Sequence, residues 1–498
     1  MATLTEAIRA TEAITARGRA LALGAFILAL GPWEAEAHAF GERHELTLPL
    51  TVYLWAAAAA VVLSFFVMAL VGRPAGETCS GRRIDLSTTF PGRVLASRFS
   101  LAAIRTVSVG LFLLVLASAA FGPSDPLTNF APTFVWVLWW VGMAYVSGFA
   151  GDLWRLVDPW SILFAGFERV LPGRQPCFRY PGRFGVWPAA ILFFAFAWIE
   201  LVSASGEQPR VLFALIVSYS ALTWTGMALF GREIWRERGD PFGIFFGLLG
   251  RFAVTGLDDE RKRWQLRPPA AGLNEAQPAS ISMTVFILLM LSFVFFDGLR
   301  ETPAWAGILH WITESMTLRP ALLALRGAGL DLLKLVQTVA LLAVPVIFGT
   351  AYFLFCALMR VAAGEGPGAR TLAGTFAFSL VPIAIAYHAA HYLSYLLLAG
   401  QLAIPLSSDP FGLGWNLFGT ATYRLDVSVI DAASVWYTAI GAVVVGHVIA
   451  VWLAHAAAFR LYAERAAALR SQLPMLVLMA GYTATSLWIL AQPVIKNG

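Results

Sequence analysis

The amino-acid sequence predicts an all-α integral membrane protein of about ten transmembrane helices, with two short cytoplasmic interfacial helices in a repeated helix-pair unit. Three observations predict it. Of 498 residues, 58% are hydrophobic and only 13% charged, with a mean hydropathy of +0.70; so little polar surface does not suit a soluble chain of this length. Apolar runs near the roughly 20 residues that cross a hydrocarbon core recur along the chain. Arginine and lysine gather in alternate connecting loops.

The N-terminal segment carries Arg9, Arg17 and Arg19, then the apolar run Ala20 to Leu30, then Ala35-Glu36-Ala37. That order of basic, apolar and small residues reads as a signal peptide over residues 1–37, because the run is too short to span and is followed by a small-x-small site. Cleavage after Ala37 leaves His38 at the mature end; cleavage after Ala39 removes it. An uncleaved anchor is the alternative. Residues 38–498 then form one transmembrane helical domain, with spans expected at 49–72, 100–122, 132–150, 187–205, 210–231, 280–297, 332–359, 371–399, 432–456 and 473–494.

With the mature N-terminus outside, 23 arginines and lysines fall in inner loops against 8 in outer ones. This positive-inside excess predicts a multi-pass protein of a bacterial inner membrane with both ends outside. It also accounts for the net charge of +5 without nucleic acid as a partner. The 18 Trp and 36 Phe suit membrane lipid as the main partner. Cys79, Cys177 and Cys356 show neither CxxC nor CxxH spacing, so neither a disulfide nor a zinc-thiolate site is expected.

The repeat lies in two loops that follow inward-running spans. Gly151-Asp152-Leu153-Trp154-Arg155 and Asp158-Pro159-Trp160 match Gly231-Arg232-Glu233-Ile234-Trp235-Arg236 and Asp240-Pro241-Phe242, with small insertions in the second copy. Asp as N-cap followed by Pro at the first helical position starts a helix in each. Apolar residues on one face and a terminal Arg suit helices lying in the headgroups, an architectural role.

Ionisable groups inside spans are costly and mark candidate sites. His388 and His391 stand three apart in Tyr387-His388-Ala389-Ala390-His391-Tyr392, on one helical face. At ~1.5 Å per residue they lie about 17 and 12 Å below the outer end of their span, and His447 of the next span about 22 Å below its own. These three imidazoles are the candidate ligands of a divalent metal ion. Glu200 and Asp297 occupy the outer half of their spans and are the candidate catalytic carboxylates, as ligand or general base in metal-assisted hydrolysis. Arg300 is placed to pair with either acid. Haem ligation and interhelical hydrogen bonding are the competing readings of the histidines. His38 and His44 flank Gly41-Glu42-Arg43 just outside the membrane; if cleavage exposes His38, its amine and imidazole offer a copper chelate, the other reading being an ordinary solvated segment before the first span.

Several stretches together resemble a family of polytopic bacterial membrane proteins that takes its name from fenitrothion hydrolase, an organophosphorus triester hydrolase. They include His38-Ala39-Phe40-Gly41-Glu42-Arg43, Phe184-Gly185-Val186-Trp187-Pro188, Trp198-Ile199-Glu200-Leu201, Phe296-Asp297-Gly298-Leu299, the Tyr387 to Tyr395 segment, Ser408-Asp409-Pro410-Phe411-Gly412 and Leu487-Trp488-Ile489-Leu490-Ala491-Gln492-Pro493. The resemblance covers nearly the whole mature chain and implies a membrane-embedded hydrolase of organophosphorus triesters or other lipophilic esters, with a lipophilic small molecule as substrate. It supplies no catalytic motif. A transporter or permease, motivated by the repeat and the buried acids, and a haem-binding redox subunit are the alternatives, and each leaves room for a second membrane subunit.

Overall fold

Hydropathy alone accounts for most of the architecture. A computed structural model describes residues 45–71, 83–170, 175–258, 263–364 and 366–493. The expected signal peptide, His38, His44 and Cys79 lie outside the described residues. Among the described residues ten helices are long and apolar enough to cross a membrane, and the chain is an all-α multi-pass membrane protein. In chain order the helices used below are α1 (Leu50–Val71), α2 (Arg98–Phe121), α3 (Phe130–Phe149), the short α4 (Pro159–Val170), α5 (Trp187–Leu201), α6 (Pro209–Phe230), α7 (Arg232–Arg238) and α8 (Pro241–Phe252). They continue with α9 (Ile281–Arg300), α10 (Leu332–Ala363), α11 (Val381–Ala399), α12 (Ala432–Leu461) and α13 (Arg465–Ala491). Large apolar side chains such as Leu70, Phe121 and Val361 stand exposed on the bundle's outside, the surface that lipid covers.

Several boundaries depart from the hydropathy reading. Helix α12 runs on to Leu461 and α13 starts at Arg465, because helices continue past the apolar slab into polar surroundings that a hydropathy window ignores. Helix α9 runs on to Arg300, so Asp297 lies inside its last turn. Within α3, Thr133–Gly142 is wound as a π-helix, a rare coil that occurs frequently at functional sites. A small antiparallel sheet was not expected: Ile84–Asp85, Arg263–Leu266 and Thr255–Asp258 pair in the order β1-β3-β2. It lies at the end of the bundle where the arginines concentrate, called here the basic face.

Both repeat copies start their short helices where expected. The Asp158 carboxylate accepts from the backbone N–H of Trp160 (3.0 Å) and Ser161 (3.3 Å). That of Asp240 accepts from the N–H of Phe242 (2.9 Å). Their depth differs from the expectation of helices lying in the headgroups. The Trp160 indole N–H donates to Ser220 (2.8 Å), and Tyr219 donates to Asp240 (2.7 Å); both residues sit at the middle of the 22-residue α6. At their other ends Glu168 pairs with Arg232 (3.0 Å), and Thr255 hydrogen-bonds Ala150 just past α3. Each helix therefore begins at mid-span and runs to the basic face. For α8 the reason lies in Phe242-Gly243-Ile244-Phe245-Phe246-Gly247-Leu248-Leu249, apolar on every side and nearly all buried. A helix apolar all round belongs inside a bundle.

Trp160 and Phe242, equivalent in the two copies, flank one Tyr219 ring at 5.1 and 5.3 Å. Helix α7 returns along α6, its Trp235 filling the notch left by Gly226.

Candidate functional site

Helix α9 brings Asp297 and Arg300 to the bundle interior one turn apart, and α11 presents His391 and Tyr392 opposite them. The Asp297 carboxylate accepts three side-chain bonds. Arg300 donates to Oδ1 (2.8 Å), while His391 Nε2–H (3.0 Å) and the Tyr392 hydroxyl (2.7 Å) donate to Oδ2. Asp297 is 7% exposed and His391 6%, so a charge here depends on these partners. Arg300 also donates to the backbone carbonyl of Leu201, which ties α9 to the end of α5.

That tie brings in Glu200. Its carboxylate accepts from the Trp140 indole N–H (2.6 Å), and it lies close enough to Asp297 and Arg300 to sense both charges. Trp140 is carried by the π-wound stretch of α3 and packs on Phe245 of α8 at 4.8 Å. The two carboxylates singled out from sequence, Glu200 and Asp297, thus border one site together with His391.

The three histidines do not converge. Tyr392 stands between His388 and His391, its ring 4.7 Å from each. His388 looks away into an aromatic pocket of Trp140, Tyr145 and Phe245. His447 donates through Nδ1–H to the Val443 carbonyl (2.8 Å) and faces Tyr482 of α13 at 6.0 Å. Among the described residues, no group of three or more His, Cys, Asp or Glu is gathered closely enough to hold a metal ion. The triad of His388, His391 and His447 expected as ligands is not assembled. A spacing of three puts two residues on adjacent parts of a helix surface, and the bulk of Tyr392 between them turns their rings apart.

Sequence reasoning missed Tyr392, Trp140 and the depth of Asp158 and Asp240. Tyr392 had a visible signal, since it closes the Tyr-His-x-x-His-Tyr segment. Both aspartates are nearly fully buried, and the Ser161 side chain is near enough to hydrogen-bond Asp158. They stand near enough for the charge of Asp240 to act on Asp158.

A cavity of about 1320 Å³ opens beside the sheet at the basic face, lined in part by Arg83, Asp152, Arg155, Arg236, Arg251 and Arg267. Burial pushes the Asp152 carboxyl above the usual carboxylate range, while Arg155, Arg236 and Arg251 pull it back. Arg267 is occupied with the chain itself, donating to the carbonyl of Gly250 (2.8 Å) at the end of α8. The two cysteines among the described residues, Cys177 and Cys356, are free thiols. Set against family models, curated proteins and solved structures, the chain matches none.

Proposed function

We propose that the chain is a proton-conducting permease of a bacterial inner membrane, with its basic face in the cytoplasm. One observation carries the reading: two repeat-related helices begin at mid-span, side by side around Tyr219, each with a buried aspartate at its start. Half-length helices that end near the bilayer midplane, with ionisable groups there, are how many transporters bind solutes and coupling ions. The arginine-lined cavity supplies an entrance from the cytoplasmic side. The Asp297, Arg300 and His391 group supplies a second protonatable site on the opposite half.

The test is proton uptake by proteoliposomes that contain a pH-sensitive dye and are driven by a potassium diffusion potential. Wild-type protein is expected to exceed empty vesicles about tenfold, and an Asp158→Asn, Asp240→Asn double variant to lose most of that excess. Flux equal to empty vesicles, or a double variant that conducts like wild type, sinks the reading.

A hydrolase of lipophilic esters, including organophosphorus triesters, is the second reading. It is favoured by the Asp297–His391 pair, a carboxylate and an imidazole held 3.0 Å apart in the bundle interior. Half-buried Glu200 lies beside it. Purified protein would be assayed on a lipophilic phosphotriester with and without chelator, alongside elemental analysis for a bound divalent metal. Unchanged turnover in Asp297→Asn and His391→Ala would count against it.

A further inference from the structure

Four buried polar atoms lie along the junction of α9, α11, α12 and α13: the Tyr387 hydroxyl and Nε2 of His447, which have no hydrogen-bond partner among the described residues, and the hydroxyls of Tyr482 and Ser486, which have only each other within reach. Tyr387 and His447 are each only 1% exposed. Leaving such a group unpaired costs about 1 to 3 kcal/mol, and native interiors seldom leave several together.

Their placement makes one site. The Tyr387 hydroxyl stands in the notch of Gly298, where an added methyl would come within 2.7 Å of it, 2.6 Å of Ile489 on α13 and 3.7 Å of the His391 ring. Tyr482 lies on α13, two turns before Ile489, close enough to act electrostatically on Tyr387. The His447 ring is 6.0 Å from the Tyr482 ring. Because Nδ1–H of His447 is spent on the Val443 carbonyl, its Nε2 is an acceptor; a phenol hydroxyl both donates and accepts.

This donor and acceptor set is neutral. It has two phenols, one hydroxyl and one imidazole, and the Asp297 carboxylate, whose charge reaches Tyr387, already accepts from three side chains. A hard cation prefers carboxylate oxygen. Water, with two donors and two acceptors, matches a neutral set.

We infer that internal water is bound here, bridging Tyr387, Tyr482 and His447 and extending the Asp297–His391 pair into the middle of the bundle. Such a link lets a proton pass between His391 and His447, two histidines that face different neighbours. The water site goes beyond the permease reading and stands or falls separately from it.

Radiolytic hydroxyl labelling of the full-length protein in H₂¹⁸O, read by mass spectrometry, tests it, because a buried ring takes up ¹⁸O only from water held beside it. Tyr352 is the internal control: it is 2% exposed, but its hydroxyl donates to the Ala373 carbonyl (2.7 Å). Tyr387 is expected to label about tenfold faster than Tyr352. His447→Phe should cut labelling of Tyr387 severalfold and leave Tyr352 unchanged. Equal rates at Tyr387 and Tyr352 in wild type would overturn the water site. Undiminished Tyr387 labelling in His447→Phe would overturn the bridge to His447.

Discussion

The Asp297 cluster and the Tyr387–His447 junction adjoin along α11, with the His391 and Tyr387 rings 6.1 Å apart, yet they are built on opposite principles. Around Asp297, both carboxylate oxygens are taken up, by Arg300, His391 and Tyr392. At the junction, the Tyr387 hydroxyl and His447 Nε2 end without a partner among the described residues, and Tyr482 has only Ser486 beside it. A saturated ion pair holds helices in register, and removal of one member leaves the others stranded. An unsaturated cluster is inert to the loss of any one hydroxyl and keeps its capacity for something outside the chain. The difference separates a site that anchors α9 to α11 from one arranged to hold a small guest.

The sharpest way to break this contrast is Asp297→Ala. It strands a buried guanidinium and two further donors, and should lower stability by about 3 to 5 kcal/mol, read as a fall in the midpoint of thermal unfolding in detergent. Next is Tyr392→Phe, which deletes one hydrogen bond to a charged carboxylate and should cost about 1.5 to 3 kcal/mol in the same measurement. Asp240→Ala removes an N-cap together with the acceptor of Tyr219 and should cost about 1 kcal/mol or more. Asp158→Ala loses the cap alone, so the two repeat copies are expected to rank in that order. The smallest effect belongs to Tyr387→Phe, within about 0.5 kcal/mol of wild type, since no protein bond is lost. A Tyr387→Phe cost equal to that of Tyr392→Phe would erase the distinction between the regions.

Much of this architecture was legible without coordinates. All ten spans follow from runs such as Leu50 to Val71, because the cost of exposing backbone and charge to hydrocarbon is summed locally over neighbours in sequence. The Asp-Pro starts at Asp158 and Asp240 were legible too, since a cap acts within one turn. The depth of those helices was not: it depends on Trp160 and Phe242 finding Tyr219, more than 20 residues away from Phe242 and farther still from Trp160. The candidate site divides the same way. Glu200, Asp297 and His391 were singled out as buried ionisable residues and they do share a site, whereas His388 and His447, chosen by the same rule, face other neighbours.

By itself, then, the sequence determined which segments cross the membrane, where helices start, and which rare polar residues are buried at a cost. Only the tertiary structure decided which of those residues meet. Helix rotation and crossing are set by close contacts such as Gly446, where an added methyl would collide with Ala386 and Pro382 of α11, and no periodicity in a single strand of sequence records the partner on the other side.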